Sequence, residues 1–413
     1  MVADTGIGNV PDKIRKNHRK TLGLLRDLQG AKSVGVIAED RAKGIIEIAR
    51  PVGVVCAITP STNPAATPAN KIINAIKGRN AVIVAPSPKG WSTAQRLVDH
   101  IQAEFDKIGA PRDLVAVLPS PVNKASTGEL MRQCDLVVAT GSQANVRSAY
   151  ASGTPAFGVG AGNVAGIIDE TADLQAVAER VLRSKTFDNA TSCSSENSLV
   201  VVASRKAELL KVLAQQGAAL LDAPRKAQLQ QLMWPDGHLS PAVIGQSAQT
   251  IAQRAGMTDL VSPDLRILIV EEDSVGPEHP YSGEKLSPVL ALYTATDFDD
   301  AAYIVSRIYA HQGAGHSVGL HSTLQDRALQ LGLHLPVSRV IVNQAHCIAT
   351  GGSFDNGLPF SLSMGCGTWG KNNFSENMNY RHYLNITRVS VPIPEVVPTE
   401  EEIFGGYFRK YGR

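Results

Sequence analysis

One cysteine lies in a markedly polar stretch of the chain. Cys193 follows Thr191 and Ser192 and precedes Ser194 and Ser195. Small hydroxyl side chains let a substrate approach a thiol closely and can donate hydrogen bonds to a thiolate, whereas structural cysteines are usually surrounded by apolar groups. The pattern indicates a covalent nucleophile at Cys193, and these residues alone leave an inert buried thiol open as the alternative.

Other polar residues stand at the expected ends of strands and helices. Gly141 and Ser142 follow a strand and open a helix, where free backbone N–H groups attract phosphate. His316 begins a strand, and its imidazole is either a general base or a structural hydrogen-bonding group. Asn63 precedes a proline, which is typical of a turn, and Glu284 is either a ligand-binding carboxylate or a solvated loop charge.

The composition narrows the class of protein. The 413 residues are 43% hydrophobic and 19% charged, which suffices for two packed lobes. The net charge of +2 gives no field that attracts nucleic acid or an anionic membrane. No apolar run approaches the roughly 18 residues of a membrane span, and residues 1–10 lack a signal-peptide pattern, so we expect a cytoplasmic protein. Five cysteines without a C-x-x-C pair predict neither a disulfide framework nor a metal site.

Short apolar runs alternate with helical periodicity over most of the chain. This alternation predicts an α/β protein whose parallel sheets are covered by helices on both faces. We expect two doubly wound lobes, a nucleotide-binding lobe over 1–190 and a catalytic lobe over 191–370, followed by a C-terminal segment over 371–413. The expected strands are 81–85, 114–118, 135–140 and 165–169 in the first lobe and 199–203, 265–271, 288–293, 316–320 and 339–343 in the second.

Three further strands fit neither lobe. Residues 34–38 and 44–49 are expected to form a hairpin, and 385–392 is a strand that follows the second lobe. Unpaired strands need partners, so these segments suit subunit pairing in a homodimer or homotetramer. Packing on their own chain is the equally simple alternative.

Six longer motifs are distributed along the chain. They are Pro-Val-Gly-Val-Val at 51–55, Thr-Asn-Pro at 62–64, Gly-Val-Gly-Ala-Gly-Asn at 158–163, Phe-Asp-Asn at 187–189, Glu-Lys-Leu-Ser-Pro at 284–288 and Gly-Cys-Gly-Thr-Trp-Gly at 365–370. Together they resemble the aldehyde dehydrogenase superfamily, and within it the branch that forms coenzyme A (CoA) esters. The resemblance runs from residue 3 to residue 386.

The resemblance implies roles for three side chains. Cys193 falls at the family's nucleophile. Asn63 falls where a side-chain amide and the backbone N–H of Cys193 form an oxyanion hole for the alkoxide that thiolate attack creates. His316 matches a histidine of the acylating branch that assists proton transfer from Cys193 or from the CoA thiol.

The resemblance also implies a nicotinamide cofactor, NAD or NADP. Glu284 matches the carboxylate that binds the nicotinamide ribose, and Gly141 with Ser142 matches the turn that meets the pyrophosphate. We expect Ser87 and Gly160 to contribute to the same cofactor site. The strand before Ser87 is followed by no acidic side chain, so nothing there repels the 2′-phosphate of NADP.

Gly158 bears on whether the thioester formed on Cys193 is hydrolysed or transferred to CoA. Hydrolytic members of the superfamily carry a glutamate at this position, where it activates water against the thioester. Water needs such a base more than a CoA thiol does, because a thiol of pKa about 8.5 is intrinsically nucleophilic once partly ionised. We therefore expect a small aldehyde and CoA as partners and an acyl-CoA product. The alternatives are a hydrolytic enzyme that releases free acid and an inactive structural relative.

The residues around the nucleophile suggest an anionic aldehyde. The run 189–197, with 337–339 and 352–357, is most similar to sulfoacetaldehyde dehydrogenases and next to succinate-semialdehyde enzymes that form CoA esters. Ser192 and Ser194 are the expected hydroxyl contacts of the substrate. Arg339 and Arg381 are the candidate cations for its charged head, with structural salt bridges as their alternative.

Overall fold

Three β-sheets organise the chain in the computed structural model, which describes residues 1–413. The strands are β1 (Gly35–Asp40), β2 (Ile45–Pro51), β3 (Val54–Thr59), β4 (Ala81–Pro86), β5 (Val115–Val117), β6 (Leu136–Thr140), β7 (Ala156–Val159), β8 (Val164–Ile168), β9 (Glu196–Val202), β10 (Ala218–Leu220), β11 (Ile267–Glu271), β12 (Val289–Ala295), β13 (Val318–His321), β14 (Val340–Val342) and β15 (Leu384–Ser390).

Helices cover the two larger sheets. They are α1 (Val2–Thr5), α2 (Val10–Leu28), α3 (Ala66–Lys77), α4 (Trp91–Ile108), α5 (Lys124–Gln133), α6 (Gln143–Tyr150), α7 (Leu174–Thr186), α8 (Ala203–Gln215), α9 (Ala223–Met233), α10 (Ala248–Arg254), α11 (Phe298–His311), α12 (Gln325–His334), α13 (His346–Ala349) and α14 (Glu400–Tyr411). None of them combines the length and the apolar sequence needed to cross a membrane.

The first sheet has five parallel strands in the order β5-β4-β3-β6-β7. Its strands are buried on both faces: Val55 and Ala57 of β3 pack into one core, and Cys56 and Ile58 pack into another. Strand order reverses between β3 and β6. In a doubly wound sheet, ligands bind outside the carboxyl ends of the strands at this switch point.

A buried lysine bridges the switch point. The ammonium group of Lys71 donates to the carbonyl of Ile58 in β3 at 2.6 Å and to that of Val138 in β6 at 2.7 Å. Burial lowers the pKa of Lys71 to about 7. The bonds tie together the two strands between which the crevice opens.

The second sheet has seven parallel strands in the order β10-β11-β12-β9-β8-β13-β14. The expectation of two α/β lobes is confirmed, but the boundary at residue 190 is wrong. The chain leaves the first sheet after β7 and enters the second at β8, which lies between β9 and β13. Every residue of β8 is buried, so this strand fits the middle of the larger sheet.

The C-terminal boundary also differs from the expected one. Phe374, Met378 and Tyr383 return to the first lobe and complete its buried core. The side-chain amide of Asn80 donates to the carbonyl of Tyr383 at 2.9 Å. Residues 371–383 therefore belong to the first lobe, and only the following part of the C-terminal segment stands apart from both lobes.

The third sheet is antiparallel, in the order β1-β2-β15. The hairpin pairs Gly35 with Ala49, and β15 pairs Leu384 with Pro51 on the other side of β2. The two isolated segments of the sequence thus pair with each other on their own chain. Strands β1 and β15 keep free edges.

These free edges lead us to expect a homo-oligomer. Exposed edge strands with apolar side chains favour pairing with another chain, and Val36 and Val389 are 55% and 41% exposed. Replacing both by lysine should place like charges at the interface and lower the molar mass measured by light scattering at micromolar concentration. Val261→Lys, a change at a 39% exposed valine outside this sheet, should leave it unchanged. A parent protein that is already monomeric would contradict the expectation.

Candidate active site

The turn before Cys193 has an unfavourable backbone conformation. Asp188, Asn189 and Ala190 have φ angles of 52°, 53° and 58° in succession. Non-glycine residues occupy this left-handed region rarely and at a cost, so surrounding interactions must hold the turn. It ends helix α7 and delivers the nucleophile loop to the start of β9.

The carboxylate of Asp188 holds the turn. It accepts hydrogen bonds from the ammonium groups of Lys13 at 2.9 Å and Lys16 at 2.5 Å. It also accepts hydrogen bonds from the hydroxyl of Thr191 at 2.7 Å and the backbone N–H of Asn9 at 3.1 Å. Burial alone would raise the pKa of Asp188, but the charges and hydrogen bonds of the two lysines outweigh burial and lower it. The carboxylate thereby fixes helix α2 against the nucleophile loop.

Lys16 also orients Asn63. Its ammonium group donates to Oδ1 of Asn63 at 2.9 Å. Since an ammonium group can only donate, the amide atom that faces Lys16 must be the oxygen of Asn63. The amide nitrogen then points away from the lysine and is free to donate. The side-chain amide therefore presents the N–H donors that an oxyanion requires.

His316 is the side chain paired with the nucleophile. The Sγ of Cys193 lies 3.5 Å from Nε2 of His316. Burial raises the pKa of Cys193, with smaller contributions from Glu284, Cys366 and Cys347. Burial, with a contribution from Arg339, lowers the pKa of His316 to about 3. Both shifts favour the uncharged pair, a protonated thiol beside a neutral imidazole.

A buried hydrogen-bond chain continues behind His316. Its Nδ1 lies 2.7 Å from Oγ of Ser317, and this hydroxyl lies 2.8 Å from Nε2 of His346. A hydroxyl can accept from one imidazole while it donates to the other, in either direction. The chain can therefore support His316 both before and after Nε2 takes up a proton.

Gly162 and Glu284 also lie close to Cys193. A Cβ atom at Gly162 would lie 2.4 Å from the carbonyl oxygen of Cys193, so only glycine fits this approach. The N–H of Gly162 donates to the carboxylate of Glu284 at 3.3 Å. Burial raises the pKa of Glu284 to about 8. The structure thus places the carboxylate expected to bind the ribose beside the nucleophile.

The expected nucleotide residues gather at the switch point of the first sheet. Ser142 caps α6, and Gly141 has a φ of 155° with no atom closer than 3.7 Å to an added Cβ. Gly160 packs against the Gln143 side chain at the start of the same helix. The hydroxyl of Ser87, at the end of β4, is buried without a hydrogen-bond partner. An unpartnered hydroxyl and a helix N-terminus at the switch point fit a bound dinucleotide.

The two arginines expected to hold an anionic substrate do not serve that role in the structure. Arg339 is buried, and its guanidinium donates to Asn377, Ser375, Gly365 and the carbonyl of His316, which leaves little donor capacity for a ligand. Arg381 is exposed on the short helical turn before β15 and lines no part of the cavity beside Cys193. Both assignments are therefore corrected.

The cavity beside Cys193 has a volume of about 490 Å³. Ser192, Ser194 and Asn63 line it, as the sequence indicated. Its basic side chains come instead from α2 and α7, and they are Arg15, Lys16, His18, Arg19, Lys20 and Arg183. The sequence signal was the basic run 15–20, but such a run is typical of a solvated helix face, and nothing local showed that it meets the nucleophile loop.

The comparisons with known proteins agree with this geometry. Residues 9–231 match the model of the aldehyde dehydrogenase family. The chain is also 66% identical over 412 residues to a sulfoacetaldehyde dehydrogenase (acylating) of Cupriavidus necator, an alignment that covers 100% of this chain and 84% of that protein. The chain belongs to the aldehyde dehydrogenase family.

Further relatives place this aldehyde dehydrogenase in the CoA-acylating branch. It is 36% identical over 406 residues to a succinate-semialdehyde dehydrogenase (acetylating) of Clostridium kluyveri, which covers 98% of this chain and 89% of that protein. The crystal structure of an acetylating aldehyde dehydrogenase from Geobacillus thermoglucosidasius has a TM-score of 0.92 at 35% identity and covers 96% and 88% of the two chains. The resemblance drawn from the motifs is confirmed.

Replacing Asp188 by asparagine should strongly destabilise this aldehyde dehydrogenase. The change leaves Lys13 and Lys16 buried without their anion, which costs about 3–5 kcal/mol of unfolding free energy. The stabilisation should be present above the unfolded carboxyl pKa of about 3.9 and be lost as the pH falls towards the lower folded-state pKa. Urea unfolding at several pH values measures both effects. Asp106→Asn, at a 52% exposed carboxylate, is the control, and a loss below about 1 kcal/mol would contradict the interpretation.

The protonated thiol predicts a steep pH dependence of alkylation. Because the pKa of Cys193 is raised, its thiolate fraction should increase about tenfold per pH unit without a plateau between about pH 6 and 9. Iodoacetamide labelling of the enzyme alone, followed by peptide mass spectrometry, measures this rate at the residue. Cys193→Ser should abolish labelling of that peptide. A plateau below about pH 8 would show instead an activated thiolate in the resting enzyme.

Proposed function

We propose that this enzyme oxidises sulfoacetaldehyde to sulfoacetyl-CoA with NAD or NADP, through a thioester on Cys193. The observation that carries the proposal is the pairing of the Cys193 thiol with a neutral His316 at 3.5 Å, next to the oriented amide of Asn63. The substrate follows from the sulfoacetaldehyde dehydrogenase that is 66% identical to this chain.

The first step joins sulfur to the carbonyl carbon. The Cys193 thiol gives its proton to Nε2 of His316 as its sulfur attacks, and the carbonyl π electrons move to the oxygen as an alkoxide. The amide of Asn63 and the backbone N–H of Cys193 donate to that alkoxide. Proton transfer from Cys193 to His316 is unfavourable by itself, because the pKa of the thiol is raised and that of the imidazole is lowered. The hydrogen bonds that the alkoxide receives offset this cost.

A bound nicotinamide supplies the hydride acceptor. On this chain, Glu284 is suited to the ribose, Gly141 and Ser142 to the pyrophosphate, and Ser87 to the adenosine side of the crevice. The glycine at 162 lets the cofactor side of the cleft approach the nucleophile, because a Cβ atom there would meet Cys193. The cofactor is NAD or NADP, since no acidic side chain follows β4 to repel a 2′-phosphate.

The environment of Gly158 favours acyl transfer to CoA over hydrolysis. A Cβ atom at this position would lie 2.6 Å from Val146 and 3.1 Å from the ring of Tyr150, so the site has no room for a general-base carboxylate. After His316 has released the first proton to solvent, its neutral imidazole can accept the proton of the CoA thiol as that sulfur attacks the thioester, so no carboxylate base is needed. The S–C bond to Cys193 then breaks, and the departing cysteine thiolate takes the proton held by His316.

Steady-state kinetics with and without CoA test the proposal. We expect NADH or NADPH formation from sulfoacetaldehyde to require CoA and to yield sulfoacetyl-CoA. We also expect kcat/KM for sulfoacetaldehyde to exceed that for propionaldehyde by at least about tenfold, or about 1.4 kcal/mol. Cys193→Ser should abolish turnover while nucleotide binding, measured by fluorescence titration, persists.

Two outcomes would contradict the proposal. Reduced nucleotide that forms independently of CoA, with free acid as the product, would identify a hydrolytic enzyme. Alkylation of one thiol without turnover of any short aldehyde would identify an inactive relative.

A further inference from the structure

The cavity beside the nucleophile is lined by charge of one sign. Six of its lining side chains are basic, and none is acidic. The whole protein has a net charge of only +2, so this concentration is local. Like charges around one enclosed space repel one another, and an anion inside that space relieves the repulsion.

Several of these cations have no anionic partner in the chain. Arg19 and Arg183 form no salt bridge, and Arg19 stacks over the ring of Phe354 at 4.9 Å. The ammonium group of Lys20 donates to the carbonyls of Gly351 and Gly352 at 2.7 and 2.8 Å, which leaves one N–H free. Burial lowers the pKa of Lys20 to about 8, as expected for a desolvated cation without a carboxylate.

The position of the cavity indicates which anion it receives. The cations share the cavity with Asn63, the expected oxyanion donor, and with Ser192 and Ser194, which flank Cys193 in the chain. Glu284, Gly141 and Gly160, which belong to the nucleotide side, do not line it. This position favours an anion that belongs to the aldehyde over one that belongs to a dinucleotide.

We infer that Lys20 and Arg183 bind the anionic head of the aldehyde, a sulfonate in the proposed substrate, and so determine specificity for charged over neutral aldehydes. A sulfonate accepts several hydrogen bonds at once, which suits a fixed ammonium group from α2 and a guanidinium without a salt bridge from α7. This inference rests on the proposed function, because it assigns the receptor of that substrate.

The test compares matched variants of the full enzyme. Arg183→Gln and Lys20→Met should each lower the ratio of kcat/KM for sulfoacetaldehyde to kcat/KM for propionaldehyde by at least about tenfold, the usual effect of removing one charged contact. Lys20→Arg should retain most of the ratio, because the charge remains. Arg180→Gln is the control on the same helix, since Arg180 does not line the cavity, and it should leave the ratio unchanged.

An equilibrium binding measurement tests the proposed anion site separately from catalysis. Isethionate, an unreactive sulfonate of similar size, should bind the parent enzyme in isothermal titration calorimetry and bind at least about tenfold more weakly to Arg183→Gln.

If the parent turns over aldehydes with CoA but neither variant changes the ratio or isethionate binding, the inference fails and the function stands. If isethionate binds as expected but sulfoacetaldehyde is not oxidised, the function fails and the anion site stands. A raised KM for CoA with an unchanged ratio would assign the cavity to CoA phosphates and overturn the inference.

Discussion

The carboxylate of Asp188 is the contact on which the rest of the site depends. It joins two lysines of α2 to the turn that precedes the nucleophile, and one of them, Lys16, fixes the amide of Asn63. Three consecutive left-handed residues are maintained by this charge cluster, because no local preference would hold them. The helix that orients Asn63 and the loop that carries Cys193 are therefore held together by this one carboxylate.

The corrected role of Arg339 has a chemical meaning. Its guanidinium donates to the backbone carbonyls of His316 and Gly365, and its positive charge adds to burial in lowering the pKa of the imidazole. A protonated imidazole could not accept a thiol proton. The arginine therefore positions the base and maintains its charge state, which a sequence pattern cannot distinguish from binding an anionic substrate.

Local patterns predicted most of the strands, because buried parallel strands are continuous apolar runs. The boundary at 190 was wrong because periodicity does not show which sheet a strand joins, and β8 enters the larger sheet far from its neighbours in sequence. Cys193 and His316 were found through their surroundings and motifs, and the structure brings them together across 123 positions. Lys20 and Arg183 were missed, because a basic helical residue looks the same whether it faces water or a cavity.

The return of the chain to the first lobe affects how the molecule is made. Phe374 and Tyr383 complete a core whose other residues begin near Val55, and Asn80 bonds to a carbonyl 303 positions later. During synthesis, the nucleotide lobe emerges early but stays unclosed until most of the catalytic lobe has left the ribosome. Its apolar surface is exposed throughout that interval, and exposed apolar surface of this kind favours aggregation and chaperone binding.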